Sequence, residues 1–286
     1  MTFNINFWVQ LQQIFQFQFV QHAFEAGTIV AITAGVVGYF VVLRRSSFAA
    51  HALSHIGFSG AAAAVLIGVS PVYGLLLFTS LGGIWIAALG RRANQRDAQI
   101  GIVLSFMLGL GVLFISLYTG YATEAYAILF GEIVGISFSD VLLSLGGGLI
   151  VLVLVAVVYR PLLFASLDED VAEAKGMPVL FLGVIFMLLV AFATSFAVQV
   201  VGVLLIFSLM VTPAATAMTL AKRPQQAIII SVAISLFATW LGLFISFYEP
   251  YPVSFFITTI VFISYLFARF IYPKIRSLSS YFSRKC

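Results

Sequence analysis

The chain has 286 residues, of which 62% are hydrophobic and only 8% are charged. Soluble domains usually contain about 25% charged residues, so the composition excludes an ordinary soluble protein. Apolar runs of about 20 residues follow one another with short polar breaks, which is typical of a polytopic helical membrane protein. The sequence therefore predicts an all-α fold with a single membrane domain.

The net charge of +4 could indicate nucleic-acid binding, but the distribution of the basic residues favours another explanation. If successive spans cross the membrane in alternate directions, all 14 Lys and Arg residues lie on one side. The positive-inside rule makes that side cytoplasmic. The opposite loops contain Glu25, Glu124 and Glu249 and neither Lys nor Arg. We therefore expect a multi-pass membrane protein with its N-terminus outside and its C-terminus inside.

Before the first span, residues 7–19 mix aromatic and aliphatic residues with glutamines, which predicts an interfacial amphipathic helix within a segment 1–25. The membrane domain is predicted over 26–272, followed by a basic cytoplasmic tail over 273–286. Nine spans are expected, at about 26–43, 48–69, 72–90, 98–117, 140–159, 179–197, 199–220, 226–248 and 253–272. The boundary near 198 is weakly marked, so eight or ten spans remain open.

Smaller features lie between these spans. Asp97 is a plausible N-cap for the fourth span. The apolar segment 127–137 is too short to cross a bilayer, so we expect it to form a re-entrant or interfacial piece. Glycines recur along the spans, and small side chains allow membrane helices to pack closely.

The second span carries two of the three histidines, His51 and His55. Residues four apart lie on one face of a helix, and neutral imidazole is a common ligand for zinc and related metals. A cysteine metal site is excluded, because Cys286 is the only cysteine. Histidines that merely hydrogen-bond between helices are an equally open explanation of the pair.

A metal ion at this pair would need one or two further ligands from neighbouring helices. The residue types that could supply an oxygen ligand include Glu132, Asp140 and Gln199, with Ser54 as a further hydroxyl. Sequence alone does not place any of them near the histidines. Two ligands on one helix give a weak, exchangeable site, which suits transport better than permanent binding.

The loop over 160–177 predicts a short cytoplasmic helix at about 167–175. Ser166 and Glu169 have capping-box spacing, and Asp168, Glu169 and Asp170 place negative charge at the positive end of the helix dipole. Lys175 falls in the last turn, and Gly176 fits the left-handed position after it. The helix could be an ordinary loop helix or a docking element for a soluble partner.

The chain contains no G-x-x-x-x-G-K-[ST] phosphate-binding loop, so it is not expected to bind ATP in the usual way. Three energy sources remain open for a transporter: a partner chain that hydrolyses ATP, an ion gradient, or passive flow.

Several motifs resemble the ABC-3 family, the permease subunits of ATP-binding-cassette importers for zinc, manganese or iron. The likeness extends from about residue 26 to 270. Its motifs are Arg44-Arg45 through His51-Ala-Leu-Ser-His55 to Gly60, Ala98-Gln-Ile-Gly101-Ile, Ile128-Leu-Phe-Gly131, Leu163-Phe-Ala-Ser-Leu-Asp168, Ala174-Lys-Gly176-Met-Pro178, Val201-Gly-Val-Leu-Leu205 and Thr212-Pro-Ala-Ala-Thr216.

The resemblance implies a homodimeric permease of the type II importer fold, with two ATP-binding subunits docked on the helix at 167–175. It also implies a periplasmic or lipid-anchored metal-binding protein on the outer side. His55 matches the histidine of the family motif D-x-L-x-H, whereas His51 replaces the usual Asp. A nitrogen donor in place of an oxygen favours zinc over manganese or iron. We expect a transporter subunit without a permanently bound cofactor, not an enzyme.

Two other functions are compatible with a membrane helix that carries HxxxH. A membrane metalloenzyme would need further histidine clusters or a Glu directly after the first His, and residue 52 is Ala. An ion-coupled secondary transporter would work without a partner and would need an acidic group inside the membrane. Glu132 and Asp140 are the candidates for that group, and both are expected near the outer interface.

Overall fold

The computed structural model describes residues 15–89, 93–118, 131, 135–249 and 251–271. Within these residues the chain is helical and contains no strand, which confirms the all-α prediction. The helices are α1 (Gln18–Leu43), α2 (Ser47–Leu66), α3 (Pro71–Ala88), α4 (Ala93–Leu117), α5 (Phe138–Leu167), α6 (Glu169–Ala174), α7 (Val179–Leu220), α8 (Pro224–Ser246) and α9 (Val253–Leu266), the last continued by a π-helical turn, Phe267–Ile271.

Eight helices of the described part are long and apolar enough to cross a membrane. One of them, α7, has 42 residues, which corresponds to about 63 Å and is twice the bilayer core. Its helical geometry is broken at Gly202, where φ is 79° and ψ is 165°. This backbone conformation is essentially restricted to glycine. The predicted boundary near 198 therefore corresponds to a real break four residues further on.

Contacts with α1 show that α7 turns back at this break. Phe186, before the break, lies under the guanidinium of Arg44 at 5.2 Å. Met210, after the break, packs so closely on Gly38 that a methyl group there would overlap its carbonyl oxygen. In a straight helix, residues 186 and 210 would be about 36 Å apart. Their contact partners, Arg44 at the end of α1 and Gly38 within it, are only about 9 Å apart along the helix axis. The two arms of α7, 179–201 and 203–220, are thus antiparallel, which agrees with nine crossings.

Three helix ends differ from the sequence prediction. Helix α1 begins at Gln18 rather than 26, because Val20 and Ala23 are buried core residues; residues 1–14 of the predicted interfacial segment lie outside the described part. Asp97 is not an N-cap, since α4 already begins at Ala93. Helix α5 continues through Pro161 to Leu167, and Leu162 and Ala165 of this last part are buried.

The centre of the bundle is formed by α1, α2 and α7, which contribute most of the fully buried side chains. Helices α2 and α3 cross at Gly60 and Gly74, where each glycine faces the carbonyl oxygen of the other. No larger residue would fit at this crossing without moving a backbone, so the recurrent glycines do pack helices closely. The end of the bundle that carries Arg44, Arg45 and Lys175 is called the basic end below.

Replacing Gly202 should test the break in α7. We expect Gly202→Ala to destabilise the protein by about 1–3 kcal/mol, because a Cβ is strained at this backbone conformation. Gly183→Ala is the matched control in the same helix, since a Cβ at Gly183 would meet no atom within 4 Å. Thermal unfolding in detergent measures both variants. An unchanged midpoint for Gly202→Ala would contradict the assigned break.

Candidate metal site and loop helix

The histidine pair lies near the basic end of the bundle, in the first half of α2. The ring centroids of His51 and His55 are 4.6 Å apart and their planes are inclined by 82°. Two imidazoles bound to one tetrahedral zinc ion have ring centres about 5 Å apart, given metal–nitrogen distances of about 2 Å. The observed ring separation is therefore compatible with one ion held by both imidazoles.

The surroundings of the pair are apolar. The Nδ1 atoms of His51 and His55 are both buried, and neither has a hydrogen-bond partner within the described residues. The ring of His51 packs edge-on against Phe207 in the second arm of α7, at a centroid distance of 4.7 Å. At Nδ1, the structure thus lacks the interhelical hydrogen bonds that would explain the pair without a metal.

Among the described residues, no acidic side chain joins the pair to form a three-residue cluster. Asp140 forms a capping box with Ser137 at the start of α5, and Ser54 donates to the carbonyl of Ala50 at 3.2 Å. Gln199 lies three residues before the break in α7, and its Oε1 is buried without a hydrogen-bond partner in the described part. Glu132 lies outside the described residues. Among those that are described, no three His, Cys, Asp or Glu residues form a cluster.

The loop helix predicted at 167–175 is present as α6, Glu169–Ala174. Its N-cap is Asp168, whose carboxylate accepts from Val171 N at 3.0 Å, so the predicted capping box of Ser166 and Glu169 is wrong. Ser166 lies within α5 instead, and its hydroxyl donates to the carbonyl of Leu162. The spacing was misleading because α5 continues past Pro161 and takes up Ser166 before the new helix begins.

The C-terminal end of α6 agrees with the prediction. Gly176 is left-handed, with φ of 75°. Its amide donates to Glu173 O at 2.8 Å, and the amide of Met177 donates to Ala172 O at 3.1 Å. These two bonds form a Schellman motif. Lys175 is the C-cap residue, and its ammonium lies 5.0 Å from the ring centre of Phe164.

Two residues at these places were not identified from the sequence. Phe207 is one of 29 phenylalanines in an apolar chain, so no local signal marked it. Arg44 was identified as a topology signal and as the start of a family motif, without a contact of its own. Its Nη2 lies 3.1 Å from Glu169 Oε1, and its Nη1 donates to Ser166 Oγ at 3.3 Å. Two features of the sequence could have identified it: it lies just before the second span, and the acidic loop 160–177 is predicted on the same side of the membrane.

Long apolar helices that could cross a membrane make up most of the described chain, which defines a polytopic membrane protein. The model of the ABC 3 transport family matches residues 16–272, and the chain belongs to this family.

Its relatives and a solved structure agree with this assignment. The chain is 34% identical to the manganese import system permease protein ScaB of Streptococcus gordonii, over 94% of this chain and 96% of that protein. It is 32% identical to the manganese transport system membrane protein MntC of Listeria monocytogenes, over 90% and 94%. The solved structure of PsaBC from Streptococcus pneumoniae in complex with Fab superimposes with a TM-score of 0.83 at 32% identity, covering 94% of this chain and 97% of that one.

The N-cap of α6 can be tested directly. We expect Asp168→Ala to lower the local stability of α6 by about 1 kcal/mol, and to speed amide exchange over 169–175 about fivefold. Asp168→Asn is the matched control, because asparagine keeps the acceptor at the N-cap. Hydrogen exchange read by mass spectrometry measures both variants. If Ser166→Ala, and not Asp168→Ala, speeds this exchange, the assigned N-cap is wrong.

Proposed function

We propose that this chain is the membrane-spanning subunit of an ATP-driven importer of divalent transition metal ions, and that His51 and His55 bind the ion during its passage. The observation that carries the proposal is the pair itself: two adjacent imidazoles with buried, unpartnered Nδ1 atoms in an apolar bundle. Polar side chains inside a membrane are energetically costly, and those that are present usually have a function. The metal-transport names of the relatives support a metal ion as the cargo.

We further propose that zinc is preferred over manganese or iron. The relatives named above are manganese transporters, and the family resemblance places an aspartate where this chain has His51. Imidazole nitrogen suits zinc, whereas carboxylate oxygen suits manganese. A chain with two nitrogen donors should therefore differ in selectivity from a relative with one nitrogen and one oxygen donor.

The proposed complex contains two copies of this chain, two ATP-binding subunits and an external metal-binding protein. The ATP-binding subunits would dock on α6 at the basic end, because the chain has no phosphate-binding loop of its own. The distribution of the basic residues supports a cytoplasmic location for this end, with the N-terminus outside, in a bacterial inner membrane. The metal-binding protein would deliver the ion to the opposite face.

An ion-coupled secondary transporter is the second candidate, and the chain supports it less well. Such a transporter needs an acidic group inside the membrane. Asp140 is engaged in the cap of its own helix, and Glu132 lies outside the described residues. A capped helix at the basic end also has no evident use in a transporter that works without a partner.

Removing either imidazole should abolish transport. We expect His51→Ala and His55→Ala each to lower metal uptake by a factor of about ten or more in vesicles that contain the complete complex. His22→Ala is the matched control. His22 is the third histidine and lies near the start of α1, at the end opposite the basic end of the bundle, with its Nδ1 3.2 Å from Ile136 O. Unchanged uptake in both variants of the pair would rule out the proposed site.

The metal preference has its own test. His51→Asp restores the residue usual in the family, and we expect it to raise manganese uptake relative to zinc, because it replaces a nitrogen donor by an oxygen. Uptake of both ions is measured in competition, with His51→Asn as the control that lacks the negative charge. An unchanged ratio of the two ions in His51→Asp would show that residue 51 does not set the preference.

A further inference from the structure

Beyond the metal site, we propose that Arg44 is a positioning residue that transmits movement of α6 to the start of α2, where the histidine pair lies. This inference rests on the proposed function, since it assumes that an ATP-binding partner moves α6. Arg44 would act through the elements that it connects.

The side chain of Arg44 joins three parts of the fold at the basic end. It is 9% exposed, and it forms an ion pair with Glu169, the first residue of α6, at 3.1 Å. The same guanidinium donates to Ser166 at the end of α5 and lies over the ring of Phe186 in the first arm of α7. A planar guanidinium can make all these contacts at once because its donors form a fixed fork.

The backbone of Arg44 connects these contacts to α2 through a short, hydrogen-bonded turn. Only three residues, 44–46, separate α1 from α2. The amide of Arg45 donates to Val42 O at 3.1 Å, and the amide of Ser46 donates to Val41 O at 2.9 Å. Arg45 itself is held in the left-handed region, with φ of 52°, which is unfavourable for a residue with a side chain.

This turn leads directly into the helix of the histidine pair. The carbonyl of Ser46 accepts the first backbone hydrogen bond of α2, from Ala50 N at 3.0 Å. His51 follows Ser46 by five residues, a rise of about 7.5 Å along the helix. A shift of Arg44 must therefore move the first turn of α2, and with it the nearer of the two imidazoles.

The space around Arg44 leaves α6 room to move. A cavity of about 590 Å³ opens between α6 and the helix ends, and its lining includes Arg44, Arg45, Glu169 and Glu173. Elsewhere α6 is packed on the bundle, since Ala172 is buried in an apolar cluster with Ala165, Val179 and Leu182. Arg44 thus contacts the start of α6 beside the cavity, at a place where a polar contact can carry a displacement.

A purely structural ion pair would behave differently from a transmitting one. A static pair contributes to folding, so its loss would lower the amount of folded protein and affect every activity equally. A transmitting pair affects the ratio of ions transported to ATP hydrolysed and leaves the affinity of the metal site unchanged. Coupling between two sites typically changes an equilibrium affinity by a factor of 5–150, and we take about tenfold as the expected effect on uptake per ATP.

The experiment compares Arg44→Gln, Glu169→Gln and the double variant in the complete complex reconstituted in vesicles. Arg44→Lys is included because it keeps the positive charge but loses the forked donors of the guanidinium. The double variant Arg44→Glu with Glu169→Arg should restore the ion pair with its two charges exchanged. Arg160→Gln is the matched control, an exposed arginine in the last two turns of α5. Each variant is measured for zinc affinity, ATP hydrolysis and zinc uptake.

We expect each single variant to lower uptake per ATP about tenfold, the double variant to be no worse than either, and the swap to recover part of the loss. Zinc affinity should stay within about twofold of the original. A ratio of uptake to ATP hydrolysis equal to that of the unmodified complex in Glu169→Gln and Arg44→Lys would overturn the proposal. Additive losses in the double variant would overturn it as well.

Failure of the proposed function gives a different result. If the unmodified complex transports no metal, or if no ATP-binding subunit associates with the chain, the proposed function fails and the transmission by Arg44 is rejected with it. If the unmodified complex transports zinc and His55→Ala does not, while Arg44→Gln keeps the normal uptake per ATP, only the role of Arg44 is rejected.

Discussion

The bilayer imposes the constraint on which the rest of this structure depends: a backbone group inside hydrocarbon must find its hydrogen-bond partner within the protein. Uninterrupted helices meet that requirement, and most of the described chain consists of them. The exception at Gly202 is a buried residue, and Gly131 packs against the backbone of Val201 and Gly202. A break facing lipid would leave backbone groups without partners, so burial is what allows the turn of α7.

Polar side chains inside the bundle follow the same rule, which makes the exceptions informative. Thr79 and Ser195 lie 2.8 Å apart between α3 and α7, and Ser231 donates to the carbonyl of Gly35 between α8 and α1 at 2.9 Å. Each of these hydroxyls is satisfied and holds two helices together. Six buried side-chain atoms of the described residues have no hydrogen-bond partner, and two of these are the Nδ1 atoms of His51 and His55. These two rings are also in contact, with centroids 4.6 Å apart, and imidazole nitrogen is a common ligand for transition metals.

The basic end combines rigid and loosely packed parts. Helix α6 is short and would not be stable alone, and it is defined by its caps at Asp168 and Gly176. A cavity lies on one side of it, with Arg44 at the edge of that cavity, while Ala172 packs against α5 and α7. Burying an unpaired guanidinium would cost free energy. The carboxylate of Glu169 offsets that cost by pairing with Arg44.

The sequence by itself determined the class of fold, the approximate position of the spans and the histidine pair, because apolar length and i,i+4 spacing are local properties. It also determined the end of α6, since a left-handed glycine after a helix is a local signal. Only the tertiary structure decided where α1 begins, that α5 passes through Pro161, and that Asp168 rather than Ser166 caps α6. These depend on burial, which no local pattern of an almost uniformly apolar chain can specify. The contact of Phe207 with His51, and that of Arg44 with Glu169 across 125 residues, likewise arise only when the helices are packed.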